Sequence, residues 1–250
     1  MNEEWILETR GLVKQFNEFV AVNGVSLRVQ RGTIHALIGP NGAGKTTVFN
    51  LLTRFLPVTR GEIRLRGEDI TEVPAAQVAR RGMVRSFQVS ATFPALTALE
   101  NVRVALQRKL GTSFQFWRSE RSLDALDGRA RELLAEVGLE EQRDTVTVEL
   151  PYGRKRALEL ATTLALDPEV MLLDEPTQGM GHEDVGRVVA LIQRVAQGRT
   201  VLMVEHNLSV VEDLADRVTV LARGQVLAEG TYDEVSRDPA VLEAYIGAPA

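Results

Sequence analysis

The chain has 250 residues, 44% of them hydrophobic and 25% charged, with a formal net charge of −5 at pH 7 and no cysteine. That balance excludes disordered, collagen-like and disulfide-scaffold classes, and the acidic total argues against a general nucleic-acid binder. A chain this long buries roughly three quarters of its unfolded surface and needs no staple to hold a core.

The N-terminal stretch carries Glu3, Glu4 and Glu8 where a secretory signal would need a basic start and an apolar run. No run of 18 apolar residues occurs anywhere, so no membrane span is expected and the cytoplasm is the default compartment. From Leu7 to Arg66 the chain shows short alternating segments punctuated by Gly11, Gly24, Gly32 and Gly61, which predicts a small antiparallel β region. Within it, Ile34–Ile38 is a short continuous apolar run, as expected of a strand covered on both faces. From about Leu99 to Leu166 no convincing strand is legible. The stretch 107–121 is rich in Arg, Gln and aromatics, and Leu126, Leu133, Leu134 and Val137 follow at helical spacing, which together predict a helical insertion.

Three further apolar runs follow: Val170–Leu173, Val201–Val204 within a strand at 200–205, and Val218–Leu221. Helical patterns alternate with them. Val185, Val188, Val189, Ile192 and Val195 line one face of a helix starting near Asp184, and Leu208, Val211, Leu214 and Ala215 line another, with Asn207 as its N-cap. Strand and helix in alternation predict an α/β fold.

The strongest chemical signal is Gly39-Pro40-Asn41-Gly42-Ala43-Gly44-Lys45-Thr46-Thr47, which has the phosphate-binding spacing and lies between a predicted strand and a helix. Its glycines let backbone N–H groups turn toward phosphates, and the helix N-terminus adds partial positive charge. Lys45, one of only four lysines in the chain, would reach the β- and γ-phosphates, and the Thr46 hydroxyl would bind Mg²⁺. Asn41, Gly42, Gly44 and Thr47 complete the candidate nucleotide-binding set. The second signal is a buried strand ending in Asp174-Glu175. Asp174 would hold Mg²⁺ and Glu175 could take a proton from an attacking water. The two motifs lie 129 residues apart, far more than one crossover needs, so the helical stretch is read as inserted between them. His35 and His182 are read as polar surface residues.

This order of motifs resembles the ATP-binding subunits of ABC transporters over essentially the whole chain. The resemblance implies a P-loop NTPase (RecA-like) core with a mixed sheet, a single domain over 1–250 with its core at about 1–90 and 167–250, and a helical subdomain at about 91–166. It implies ATP and Mg²⁺ as ligands. It also implies that Gln88, within Arg85-Ser86-Phe87-Gln88, contacts Mg²⁺ and the catalytic water, and that His206 contacts the γ-phosphate. Phe16, 29 residues before Lys45, would stack on adenine. Pro151, Tyr152 and Gly153 occupy the family's signature loop, which acts in trans on a partner's nucleotide. The family pattern is Leu-Ser-Gly-Gly-Gln, whereas the chain reads Leu150-Pro151-Tyr152-Gly153-Arg154. Pro151 removes a hydroxyl and an N–H, so a weakened ATP sandwich and reduced turnover are expected, with the helix itself tolerating a proline at its start. A second departure puts Gly181 where the family has Asp or Asn, with His182 or Asp184 as possible substitutes.

Arg85–Gln88, Leu96–Val102, the 107–121 stretch and the tail from Ala228 to Gly247 resemble the ATPases of branched-chain amino-acid, amide and urea uptake systems. The implied partners are a second ATP-binding subunit, identical or not, transmembrane permease subunits and, indirectly, a solute-binding protein, with the chain peripheral on the inner face of the cell membrane and no nucleic acid bound. Two other classes fit the same motifs: an ABC ATPase extracting lipid or lipopolysaccharide, and a low-activity nucleotide-binding regulator.

Overall fold

The computed structural model describes residues 5–86, 92–109 and 126–246. Gln88 and most of the 107–121 stretch lie outside them, as do Gly247 and the side chain of His182.

The chain divides into two compact units, one formed by Met1–Arg85, Glu169–Gln178 and Ala196–Ala250, the other by Ser86–Pro168 and Gly179–Val195. The first unit contains two sheets. In the first sheet β1 (Trp5–Phe16) is flanked by β2 (Phe19–Val25) and β5 (Arg60–Leu65), with β3 (Arg28–Gln30) also on β1 and β6 (Glu68–Asp69) on β5. All of these pairs are antiparallel, as the alternating pattern predicts.

The second sheet has the order β11-β10-β4-β9-β8-β7, formed by Gln225–Gly230, Arg217–Ala222, Ile34–Ile38, Thr200–Val204, Val170–Asp174 and Met83–Ser86. Its four central strands run parallel, and β11 closes one edge antiparallel to β10, so the sheet is mixed. All four apolar runs read from the sequence are strands of this sheet. Strands β8 and β9 are buried at every residue, which is why their sequences show no alternation.

Helix α1 (Lys45–Leu52) supplies Val48, Phe49, Leu51 and Leu52 to one core shared by both sheets, where they join Leu7, Leu12 and Ile63 from the first and Leu37, Leu172 and Leu202 from the second. Helix α2 (Ala75–Arg80) also belongs to this unit.

His35 corrects the sequence expectation. It is fully buried in the sheet, its Nε2 paired with the Thr219 hydroxyl at 2.8 Å and its Nδ1 without a partner among the described residues. Burial first, and then the positive charge of Arg217, lower its pKa to about 4. The unfolded chain therefore binds a proton below its ordinary value of 6.5 that the folded chain refuses. Stability is expected to fall as pH drops from 6.5 toward 4, by about 3 kcal/mol from this residue alone. Denaturant unfolding across that range should show a shallower pH slope in His35→Leu than in the parent.

The second unit is helical, with α3 (Ala98–Lys109), α4 (Asp127–Glu136), α5 (Tyr152–Leu164) and α6 (His182–Val195). The periodicity from Val185 to Val195 is indeed a helix, but α6 packs on α5 and clusters with this unit rather than with the strands it alternates with in sequence. Helix α3 starts where it does because Thr97 and Glu100 form a reciprocal cap: the Glu100 N–H donates to Thr97 Oγ1 (3.2 Å), and Thr97 N–H donates to Glu100 Oε2 (2.7 Å). The Leu96–Val102 segment is thus a helix-start signal as well as a mark of resemblance.

Back in the first unit, α7 (Leu208–Leu214) begins at Asn207, whose side chain accepts from the Ser209 N–H, so the predicted N-cap is real. Helices α8 (Tyr232–Ser236) and α9 (Pro239–Ile246) follow β11.

Candidate active site

Strand β4 ends at Ile38, and the chain then makes the glycine loop into α1. Gly39, Gly42 and Gly44 all have positive φ, and at two of them only glycine fits for a second reason. A Cβ on Gly39 would lie 2.1 Å from the Leu221 carbonyl oxygen, and one on Gly44 would lie 2.7 Å from that of Ala21. The loop is therefore pressed between the two sheets. Gly44 is the N-cap of α1 and provides no side-chain acceptor, so the first-turn N–H groups open onto a cavity of about 300 Å³. Asn41, Gly42, Gly44, Lys45, Thr46, Thr47 and Glu175 line it.

Lys45 is buried, and its Nζ donates to the carbonyl oxygens of Gly39 (2.6 Å) and Pro40 (3.0 Å). Burial lowers its pKa, and the carboxylate of Glu175 partly counters that shift. Glu175 itself has φ 47, a left-handed conformation that a non-glycine residue adopts at a cost and that recurs at functional sites. Its N–H donates to Val204 O (2.9 Å), one step past the end of the β8–β9 ladder.

Asp174 is buried and ion-paired with Arg85, whose other nitrogen Nη1 donates to Asn50 Oδ1 (2.6 Å) on α1. Arg85 thus links the acid strand to the phosphate-loop helix. In the sequence, Arg85 stands out only as part of the Arg85–Gln88 resemblance. Its place at the end of β7, beside the strand that carries Asp174, is the signal that would have found it.

The cavity wall on the β1–β2 hairpin is made by Phe19 and Ala21. Phe16 pairs with Phe19 across the hairpin and is half exposed, with Lys14 Nζ 4.9 Å from its ring centre. The structure thus brings Phe19 to the cavity, a residue that spacing from Lys45 did not pick out. His206 lies two residues past the end of β9, after Glu205, with a side chain 55% exposed.

Pro151, Tyr152 and Gly153 are in the second unit. Pro151 is the N-cap of α5 and Leu150 before it is extended, as a residue preceding proline prefers. The helix therefore starts with no side-chain cap. The Tyr152 hydroxyl accepts from Arg156 (2.9 Å), and Asp184 Oδ1 lies 3.5 Å from where a Cβ on Gly153 would be.

Residues 22–178 match the family model of the ABC transporter, and residues 225–250 match that of the branched-chain amino acid ATP-binding cassette transporter. The chain belongs to the ABC transporter family. It is an ATP-binding subunit whose hydrolysis of ATP is coupled to transport. It is 40% identical, over 97% of its own length and 98% of the relative's, to the high-affinity branched-chain amino acid transport ATP-binding protein BraF of Pseudomonas aeruginosa. It is 38% identical, over the same shares, to LivG of Escherichia coli K12, which has the same description. Among solved structures, an ATP-binding cassette of an ABC transporter in its ADP conformation superposes with a TM-score of 0.85 at 30% identity, covering 98% of this chain and 99% of that one. Among the described residues no helix is long and apolar enough to cross a membrane.

The site fits a nucleotide with its cation. An uncapped helix start, a buried ammonium group and glycine backbone suit phosphates. An exposed Thr46 hydroxyl and a carboxylate are hard oxygen donors of the kind Mg²⁺ takes.

Proposed function

We propose that this chain is the nucleotide-binding subunit that energises a membrane importer for branched-chain amino acids or related small polar solutes. One observation carries the catalytic part of the reading. Lys45, Thr46 and a left-handed Glu175 line one cavity at an uncapped helix start. The near full-length similarity to BraF and LivG supports the substrate class.

In this reading Lys45 and the N–H groups of the glycine loop hold the phosphates, and Thr46, Asp174 and Gln88 would hold Mg²⁺, which when bound neutralises charge on the phosphate oxygens. Glu175 takes a proton from the attacking water, and Gln88 and His206 orient that water. Phe16, with Phe19 opposite it on the hairpin, offers the base an aromatic face. Catalysis is positioning and charge stabilisation, as phosphoryl transfer requires.

Two such subunits, identical or not, close face to face, with Pro151, Tyr152 and Gly153 of each set over the nucleotide of the other. Because Pro151 leaves the start of α5 without a side-chain hydroxyl, this contact is weaker than the family pattern would make it. The assembly sits on transmembrane permease subunits at the inner face of the membrane and receives solute indirectly from a binding protein.

The test is purification of the chain with its native membrane partners, followed by reconstitution into vesicles. ATP-dependent accumulation of labelled leucine, isoleucine or valine is the expected result. An intact ATPase with none of these transported, or with lipid extracted instead, would overturn the assignment.

A further inference from the structure

Glu205 is a wholly buried carboxylate to which the mechanism above gives no role. It stands between the end of β9 and His206. Its Oε1 accepts from the N–H of Thr177 (3.1 Å) and from the Thr177 hydroxyl. Its Oε2 accepts from the N–H groups of His206 (2.9 Å) and Asn207 (3.1 Å). Burying a carboxylate is costly unless donors fill its lone pairs, and here four donors do so.

These donors come from two loops. Thr177 lies two residues after Glu175, in a turn closed by the Gln178 N–H donating to Glu175 O (3.1 Å). His206 and Asn207 begin the segment that caps α7. The Glu175 N–H already reaches Val204 O, so the loop after the acid pair is tied to the β9 end twice, once by backbone and once by the Glu205 side chain.

We propose that Glu205 is a positioning residue that keeps His206 and the loop carrying Glu175 in one fixed arrangement. The proposal rests on the reading of Glu175 as base and His206 as the group facing the terminal phosphate. The chemistry requires a carboxylate. Both of its oxygens only accept, whereas a glutamine would turn an NH₂ toward one of the two donor pairs.

The test is steady-state ATP hydrolysis by Glu205→Gln, His206→Ala and the double variant, with turnover normalised to nucleotide bound per chain. Glu205→Gln should lower kcat roughly ten- to a hundredfold, the scale of a misplaced catalytic group, with KM for ATP within about twofold of the parent. Added to His206→Ala, it should cost less than it does alone, because both variants disturb the same group. If Glu205→Gln does not fold, Thr177→Val removes one of the four donors at nearly constant volume and should show the same split at a severalfold size. Unchanged kcat, a fall in KM-limited binding alone, or a loss that multiplies in full with His206→Ala would overturn the proposal. Parent-level turnover in His206→Ala by itself would instead remove the histidine role, and the proposal with it.

Discussion

In a Lys45→Ala variant, ATP hydrolysis should fall by at least roughly 10²-fold, the scale for losing one charge-stabilising donor at a transferring group, and nucleotide binding should weaken with it. The ammonium group is buried at the mouth of the glycine loop, where it donates to Gly39 O and Pro40 O. Those carbonyls keep it in place before any phosphate arrives. Alanine removes both the charge and the loop bonds, so binding and turnover are lost together. Phosphate release and titration with a fluorescent ATP analogue measure the two losses separately. Normal turnover in this variant would sink the assignment of the cavity as the site of hydrolysis.

Glu175→Gln should separate what Lys45→Ala combines. A general base contributes typically 10²–10⁴-fold, and the amide cannot take the proton, so kcat should fall by about that factor while ATP still binds. The fold should tolerate the change. Glutamine has the same shape, and the N–H bond to Val204 O belongs to the backbone. With hydrolysis blocked and binding intact, an ATP-dependent dimer should accumulate and be visible by size-exclusion chromatography. Failure to dimerise under those conditions would overturn the face-to-face closure proposed for two such subunits. Rapid hydrolysis would move the base elsewhere.

The central sheet was legible because parallel strands covered on both faces have apolar sequences along their whole length. The runs at Ile34, Val170, Val201 and Val218 each became one of its strands. The phosphate loop was legible because its spacing, its lysine and its position between strand and helix all agree. Charged and polar residues buried in the first unit were harder to read. Arg85, Glu205 and His35 are types that usually face water, and a pattern of hydrophobic periods assigns them to the surface by default. Only their partners, Asp174, Thr177 and Thr219, explain their burial, and each of those pairs joins separate strands or loops. Phe16 and Phe19 show a related limit. They face each other across a two-residue turn, and spacing from Lys45 cannot tell which ring meets the cavity. Helix α6 had the right periodicity, but its grouping with α5 depends on packing that no local pattern encodes.

The steric clamp on the glycine loop bears on how such chains can change over generations. Gly39 is held against Leu221 O and Gly44 against Ala21 O, so a side chain at either position would strike main chain whether or not a nucleotide is ever bound. Selection for a folded core alone would keep those two letters. A descendant that had lost its ATPase would go on displaying the glycines of the motif. The positions freest to drift in such a lineage are Thr46 and Glu175, whose side chains lie outside the hydrophobic core, and then Lys45, whose bonds are to the loop carbonyls of Gly39 and Pro40. When sorting working motors from silent copies among related sequences, those three positions carry the information, and the glycines record only that the sheets still close around the loop.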